Sequence, residues 1–279
     1  LVNPHPHTVS AQFHSYTPAH AGIRAQNNIK KFTTMEQCEQ APIIAWFSCG
    51  VTSTVATKLA LSQYDDVRVM YIETGQEHKD NIRFLHDCEK WFSHPIEVFR
   101  SEKYSSVFDV IEQTRYINGP NGARCTLELK KKVRYRIEDN LVKWKAQVFG
   151  FDASERKRAQ RFKEQNPKAR PIFPLIEHSL SKEDCMAIIC KAGIELPMMY
   201  QLGFPNNNCI GCVKGGKGYW ARIRDVFPDY FSKMARLEQQ IGHSCIRDCF
   251  LNDLAQDARK QPPIVPSCSI YCDIDFIDI

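Results

Sequence analysis

The first regular signal along the chain is the apolar run Ile43-Ile44-Ala45-Trp46-Phe47, set between Pro42 and Ser48. A short unbroken apolar stretch of β-branched and aromatic residues predicts a strand buried on both faces. Beyond a Ser48–Ser53 turn, Val55, Ala56, Leu59 and Ala60 recur at helical spacing, so a helix with one apolar face follows. Val67–Ile72 predicts a second strand and Ile96–Phe99 a third, with a helix over Asn81–Trp91 between them that puts Ile82, Leu85, Cys88 and Phe92 on one side. A long charged helix over Thr126–Lys145 and a strand over Gln147–Phe151 continue the alternation. Strands alternating with helices predict an α/β fold, a doubly wound and mostly parallel sheet of about five strands.

From Asn166 the texture changes. Pro167, Pro171, Pro174 and Pro197 punctuate the chain, Ser181–Ala192 reads as a capped helix with Glu183 and Asp184 in its first turn, and Gly203–Gly218 reads as loop. Pro262, Pro263 and Pro266 lead into a tail carrying Cys268 and Cys272. Residues 1–40 form an N-terminal arm whose His-, Pro- and Ser-rich start lacks periodicity. The expected division is therefore that arm, an α/β domain over 41–165, and a cysteine-bearing C-terminal lobe and tail over 166–279.

Composition narrows the chemistry. At 279 residues the chain can bury one large core or a core with a small lobe, and no apolar stretch approaches the ~20 residues that span a bilayer. A net charge of +5 suits phosphate-bearing ligands. Basic clusters at Lys130–Lys132 with Arg134 and Arg136, and at Arg156–Arg161, leave nucleic acid open as a partner. Twelve cysteines in a chain of this size, with no secretory pattern at its start, point to a reducing, cytoplasmic setting. There, close-set thiols hold metal or do redox chemistry more often than they staple loops.

The Ser48–Ser53 turn leaves a buried strand and opens a helix, the place where backbone amides and the helix dipole favour an anion. Gly50 lets backbone come close to phosphate, and Ser48, Thr52 and Ser53 supply small hydroxyl donors. Cys209 and Cys212 form C-x-x-C in a Gly/Asn-rich loop, a spacing that lets two thiolates share one metal or cluster.

S-C-G-V-T-S resembles the S-G-G-x-D-S loop of the PP-loop pyrophosphatases and the related loop of the phosphoadenosine phosphosulfate reductase family. The resemblance continues through Glu73-Thr74-Gly75, Arg124-Cys125-Thr126 with Lys130–Lys132, Gly150-Phe151 with Arg156, Arg158 and Arg161, Pro174-Leu175, and Leu202–Cys212. It implies an adenine-nucleotide-hydrolase-like fold, with phosphates on the loop and adenine near Thr74-Gly75. Arg124, Lys130, Arg156 and Arg158 would clamp phosphate or sulfate, as the planar guanidinium fork suits oxyanions. Two positions depart from the pattern. Cys49 stands where the loop's first glycine would be, and Thr52 replaces the aspartate that helps hold magnesium in ATP-splitting relatives, which weighs against ATP adenylation.

The same resemblance implies a 4Fe-4S cluster on Cys125, Cys209 and Cys212. Cys249, Cys268 and Cys272 are candidates for the fourth ligand, because only Cys125 stands where relatives carry an adjacent cysteine pair. A structural zinc on Cys209, Cys212, Cys268 and Cys272 is the rival reading. Cys88, Cys185 and Cys190, in apolar helical patterns, read as buried inert thiols. Cluster-bearing sulfonucleotide reductases also use a C-terminal cysteine that attacks sulfur, a role for which Cys268 is the candidate. The expected function is that of a sulfonucleotide reductase with a thiol electron donor and an adenine nucleotide as substrate. The alternatives are an ATP-dependent sulfurtransferase acting on nucleic acid and a non-catalytic nucleotide-binding relative; a homodimer is left open.

Overall fold

The computed structural model describes residues 41–120, 122–140, 143–258, 260 and 262. Five parallel strands form the centre: β1 (Ile43–Phe47), β2 (Val67–Glu73), β3 (Ile96–Arg100), β4 (Ala146–Val148) and β5 (Pro171–Ile172). Their order is β3-β2-β1-β4-β5. The chain moves outward from β1 through β2 and β3, then returns to β1's other edge with β4. That reversal creates a switch point between β1 and β4, where the carboxyl ends of strands leave a crevice for a ligand.

Register explains how an unbroken apolar run serves two faces. Ile43, Ala45 and Phe47 enter the main core, whereas Ile44 and Trp46 point to the opposite face with Met70, Val133 and Ile137. Helix α1 (Val51–Gln63) is buried more completely than one apolar stripe requires, Thr54 and Thr57 included. It lies between the sheet and the helix Lys182–Lys191, with α2 (Asn81–Phe92) alongside.

The remaining helices are α3 (Val107–Thr114), α4 (Lys132–Asn140), α5 (Arg156–Gln165), α6 (Pro174–Glu177), α7 (Lys182–Lys191), α8 (Met198–Gln201), α9 (Lys217–Val226) and α10 (Pro228–Ile241). Ser181 caps α7 through a reciprocal pair with Asp184, as the sequence predicts. Helix α10 has Pro228 at its first turn and Gly242 in a left-handed C-cap, the asymmetric end signals of a helix. Among the described residues no helix is long and apolar enough to cross a membrane.

Two expectations are corrected here. The long helix over 126–145 is a π-helical turn, Thr126–Lys131, followed by α4, because the chain must already be extended at Ala146 to pair with Ile43. The strand over 147–151 is the shorter β4. Across the change of texture at Asn166 the packing continues. β5 completes the sheet, and Leu175, Cys185, Met186 and Ile189 pack into the same core as β1 and α1. A second core instead joins α3 and Leu129 to α9 and α10 around the fully buried Trp220.

Candidate functional site

The turn after β1 is closed on itself. Ser48 N–H donates to Ser53 Oγ at 3.1 Å, the two serine hydroxyls lie 2.9 Å apart, and Ser53 Oγ donates to the Gly50 carbonyl at 2.9 Å. Thr52 is half-buried on the first turn of α1. Cys49 has φ +55°, a conformation that costs a non-glycine residue, and it is held there from both sides. Its carbonyl accepts from Asn207 Nδ2 at 2.7 Å and its thiol points at the Asn81 carbonyl, 3.8 Å away. Gly150, leaving β4, lies against this turn so closely that a Cβ there would sit 2.6 Å from Ser53 N and Cα. Gly75 has φ +73°, and a Cβ would come 1.9 Å from the Ser105 carbonyl oxygen.

The exit of β2 is stitched to the C-x-x-C turn. Thr74 N–H and hydroxyl both donate to Glu77, the hydroxyl at 2.6 Å. Thr74 Oγ1 also lies within hydrogen-bond distance of the Cys209 sulfur, 2.9 Å away. Gln76 and Ile210 exchange two further bonds, at 2.7 and 2.8 Å. Tyr219 Oη donates to the Cys209 carbonyl and accepts from Cys212 N–H, both at 2.9 Å, fixing the turn from below.

Above that turn a cavity of about 310 Å3 is lined by Cys125, Cys209 and Cys212. Lys130, Arg158 and Lys214 complete its charged wall, and Thr74 lines it from the β2 exit. Burial pushes the Cys209 thiol up to about 12, with Lys130 and Thr74 pulling the other way. Cys125 is raised by burial and by the charge of Cys212. Burial pulls Lys130 down, but Cys209, Glu77, Cys212 and Cys125 together outweigh it and hold the ammonium above its ordinary range. Against the burial that raises them, Lys130 pulls the Cys125 and Cys209 thiols toward the anionic form, the state that ligates metal or attacks sulfur.

Residues 42–215 match the family model described as phosphoadenosine phosphosulfate reductase domain, a stretch containing the β1 turn, the β2 exit and all three cavity cysteines. The chain belongs to this family. Among curated relatives it is 24% identical over 230 residues to the uncharacterized protein MJ0973 of Methanocaldococcus jannaschii, covering 77% of this chain and 52% of the relative. It thus spans about half of that relative's length. Among solved structures it is similar to the phosphoadenylyl-sulfate reductase of Candida auris in a phosphate complex, at 10% identity and a TM-score of 0.46, covering 68% of this chain and 98% of the other.

Of the four cations the family pattern singles out, Lys130 and Arg158 reach the cavity and the other two are tied elsewhere. Arg124 pairs at 2.9 Å with Glu128, a buried carboxylate that also holds Lys132 at 2.8 Å. Arg156 donates to the Ile176 carbonyl and the Ser179 hydroxyl, both at 3.2 Å. Arg158 stacks over the Phe151 ring at 4.5 Å and pairs with Glu155.

All described cysteines are free thiols, and Cys190, expected to be buried, is exposed near the C-terminal end of α7. Cys249 lines a different cavity, its thiol directed at the Phe250 carbonyl 3.5 Å away. Cys268 and Cys272 lie outside the described residues. No three His, Cys, Asp or Glu side chains among the described residues gather about a single ion position. The thiols of a 4Fe-4S cluster bind separate irons and need not converge on one point, so three thiols facing one cavity fit three corners of such a group. Sequence reasoning missed Glu77, Tyr219 and Lys214. Only Lys214 carried a signal, as a cation two residues after the C-x-x-C pair.

Proposed function

We propose that this family member binds an adenine nucleotide at the carboxyl ends of β1, β2 and β4 and carries out sulfur chemistry with the thiols of the adjoining cavity, as a sulfonucleotide reductase does. The observation that carries the reading is the contact between Thr74 and Cys209. One residue of the β2 exit, where adenine is expected, hydrogen-bonds directly to a cavity sulfur at 2.9 Å. A nucleotide seated on the Ser48–Ser53 turn with its sulfonyl end toward Lys130 and Arg158 would present sulfur to that cavity.

In the reaction so proposed, a cysteine thiolate, with Cys268 the candidate, attacks the sulfur of adenylyl sulfate or its 3′-phosphorylated form. The bond from sulfur to the bridging phosphate oxygen breaks and its electron pair leaves with the nucleotide. A second thiol then displaces sulfite and leaves a disulfide, which an external thiol donor reduces. Lys130 and Arg158 would neutralise the sulfonate's charge as it moves. A 4Fe-4S cluster on Cys125, Cys209 and Cys212 would supply an electron-carrying wall to the cavity, its fourth ligand being drawn from Cys268 or Cys272, since Cys249 lines the other cavity.

The test is anaerobic purification followed by iron, zinc and sulfide analysis, calorimetric titration with adenylyl sulfate, its 3′-phosphate and ATP, and an assay of thiol-dependent sulfite release. Sulfonucleotide binding with sulfite release supports the reading; failure of every adenine nucleotide to bind ends it. A second reading, an ATP-dependent sulfurtransferase acting on nucleic acid, is favoured by one observation, the large groove that opens beside the cysteine cavity. Pyrophosphate release from ATP with magnesium would select it.

A further inference from the structure

The geometry points to a second binding site, a groove beside the cysteine cavity that takes the phosphate chain of a single-stranded nucleic acid. The inference deepens the second reading above and rests on it for what the thiols would do to the strand. The groove has a volume of about 1200 Å3, against about 310 Å3 for the cysteine cavity. Sites for one small molecule run to roughly 300–1,000 Å3, so this one has room for more than a single nucleotide.

Its walls are built. Asn118 on one side donates through Nδ2 to the carbonyls of Val213 and Cys245, each at 2.9 Å, and so ties the near wall to the far one. The far wall, running from Gly242 to Phe250, is anchored by the buried carboxylate of Glu238, which accepts from Cys245 N–H at 2.6 Å and Leu251 N–H at 2.7 Å. Both walls therefore keep their separation without a ligand.

Charge selects the occupant. Lys214, Lys217, His243 and Arg247 line the groove, facing Asp248 and Asp253. Lys214 and Lys217 are exposed, and neither has a carboxylate partner among the described residues. Arg247 and Asp248 meet at 3.5 Å while 95% and 89% exposed, a pairing too solvated to withhold the guanidinium from a phosphate. Lys214 lines both the groove and the cysteine cavity, where Lys130 and Arg158 continue the positive track. At the far end Arg158 lies over Phe151 and pairs with Glu155 at the cavity's edge. Cations separated along one path suit the evenly spaced charges of a phosphate chain. A strand lying in the groove and passing Lys214 brings its next nucleotide to the thiols.

The experiment follows fluorescence anisotropy of a labelled mixed-sequence 20-nucleotide single-stranded RNA with the full chain from 50 to 200 mM salt. Three phosphate contacts, from Lys214, Lys217 and Arg247, give a log–log salt slope of about −2, a loss of roughly twentyfold across that range. The Lys217→Glu, Arg247→Glu double variant touches only the groove. It should bind at least tenfold more weakly, with a slope shallower by about 1.4, while its melting temperature and adenine-nucleotide binding match the parent. Absence of binding at 50 mM salt, equal binding by the variant, or equally effective displacement by polyglutamate of matched charge each overturns the proposal. RNA binding that persists in a protein unable to bind any adenine nucleotide would uphold the groove and remove the proposed nucleotide site instead.

Discussion

Replacing Glu238 on α10 should reveal how much one buried carboxylate holds the C-terminal half together. Its side chain has no solvent exposure, and its two oxygens accept separately from Cys245 N–H at 2.6 Å and Leu251 N–H at 2.7 Å. Glu238→Leu keeps most of the volume but strands both amides in the core. An unpaired buried donor costs about 1–3 kcal/mol, so the loss should be about 2–6 kcal/mol, reduced by whatever the native carboxylate's own desolvation costs. Glu238→Gln keeps one acceptor and turns an amide NH2 toward the other N–H, forfeiting one bond and about half as much. Against a typical total of 5–15 kcal/mol, either change is large. Urea unfolding monitored by far-ultraviolet circular dichroism measures it, and each kcal/mol lost should lower the melting temperature by about 2–4 °C for a chain of this size. The order wild type above Gln above Leu is expected. A Leu variant as stable as the parent would mean that the two amides find other acceptors, and the clamp would not exist. The same substitutions should make Cys245 easier to alkylate, since its thiol is raised first by burial and next by Glu238.

Other parts of the molecule make independent predictions. Gly150→Ala puts a Cβ 2.6 Å from Ser53 backbone atoms, which cannot rotate away. It should cost about 1–3 kcal/mol and weaken the proposed adenine-nucleotide binding by displacing the β1 turn; an unchanged melting temperature would refute the close approach. Asp80 is held below the usual carboxylate range chiefly by its hydrogen bonds to Arg83. A depressed folded pKa contributes stability above the unfolded pKa of about 4 and loses it as pH falls through the folded value. The stability gap between wild type and Asp80→Asn should therefore be constant above about pH 5 and shrink below pH 4, and a gap that widens with acid would contradict the pairing. Under native conditions an alkylating reagent should modify exposed Cys190 before buried Cys49, Cys88, Cys185 and Cys245. Peptide mapping that found Cys185 labelled first would show the α7 packing to be wrong.

Elements whose pattern is local are legible in the order of residues alone. The β1 run, the Ser181 cap of α7 and the glycine-bearing turn at Ser48–Ser53 each depend on neighbours within a few residues, and each lies where that pattern puts it. Helix α2 forms over its expected stretch and buries Leu85, Cys88 and Phe92, but Ile82, expected on the same face, is 64% exposed while Phe84 is buried in its place. The sequence also drew attention to Cys125, Cys209 and Cys212, which line one cavity although 84 residues separate the first two. What it could not decide is which charges are free. Arg124, Lys130, Arg156 and Arg158 look alike in a string of letters, yet Glu128 takes the first and the Ile176 carbonyl with Ser179 takes the third. Nor could local pattern place β5 in the sheet or end the 126–145 helix early, because both follow from pairing partners far along the chain. The contact of Thr74 with Cys209, the Glu238 clamp and the shared position of Lys214 are likewise products of packing. Periodicity records which face of an element is buried. Only the assembled fold decides what that face is buried against, and so which polar groups are used up in the structure and which remain to act.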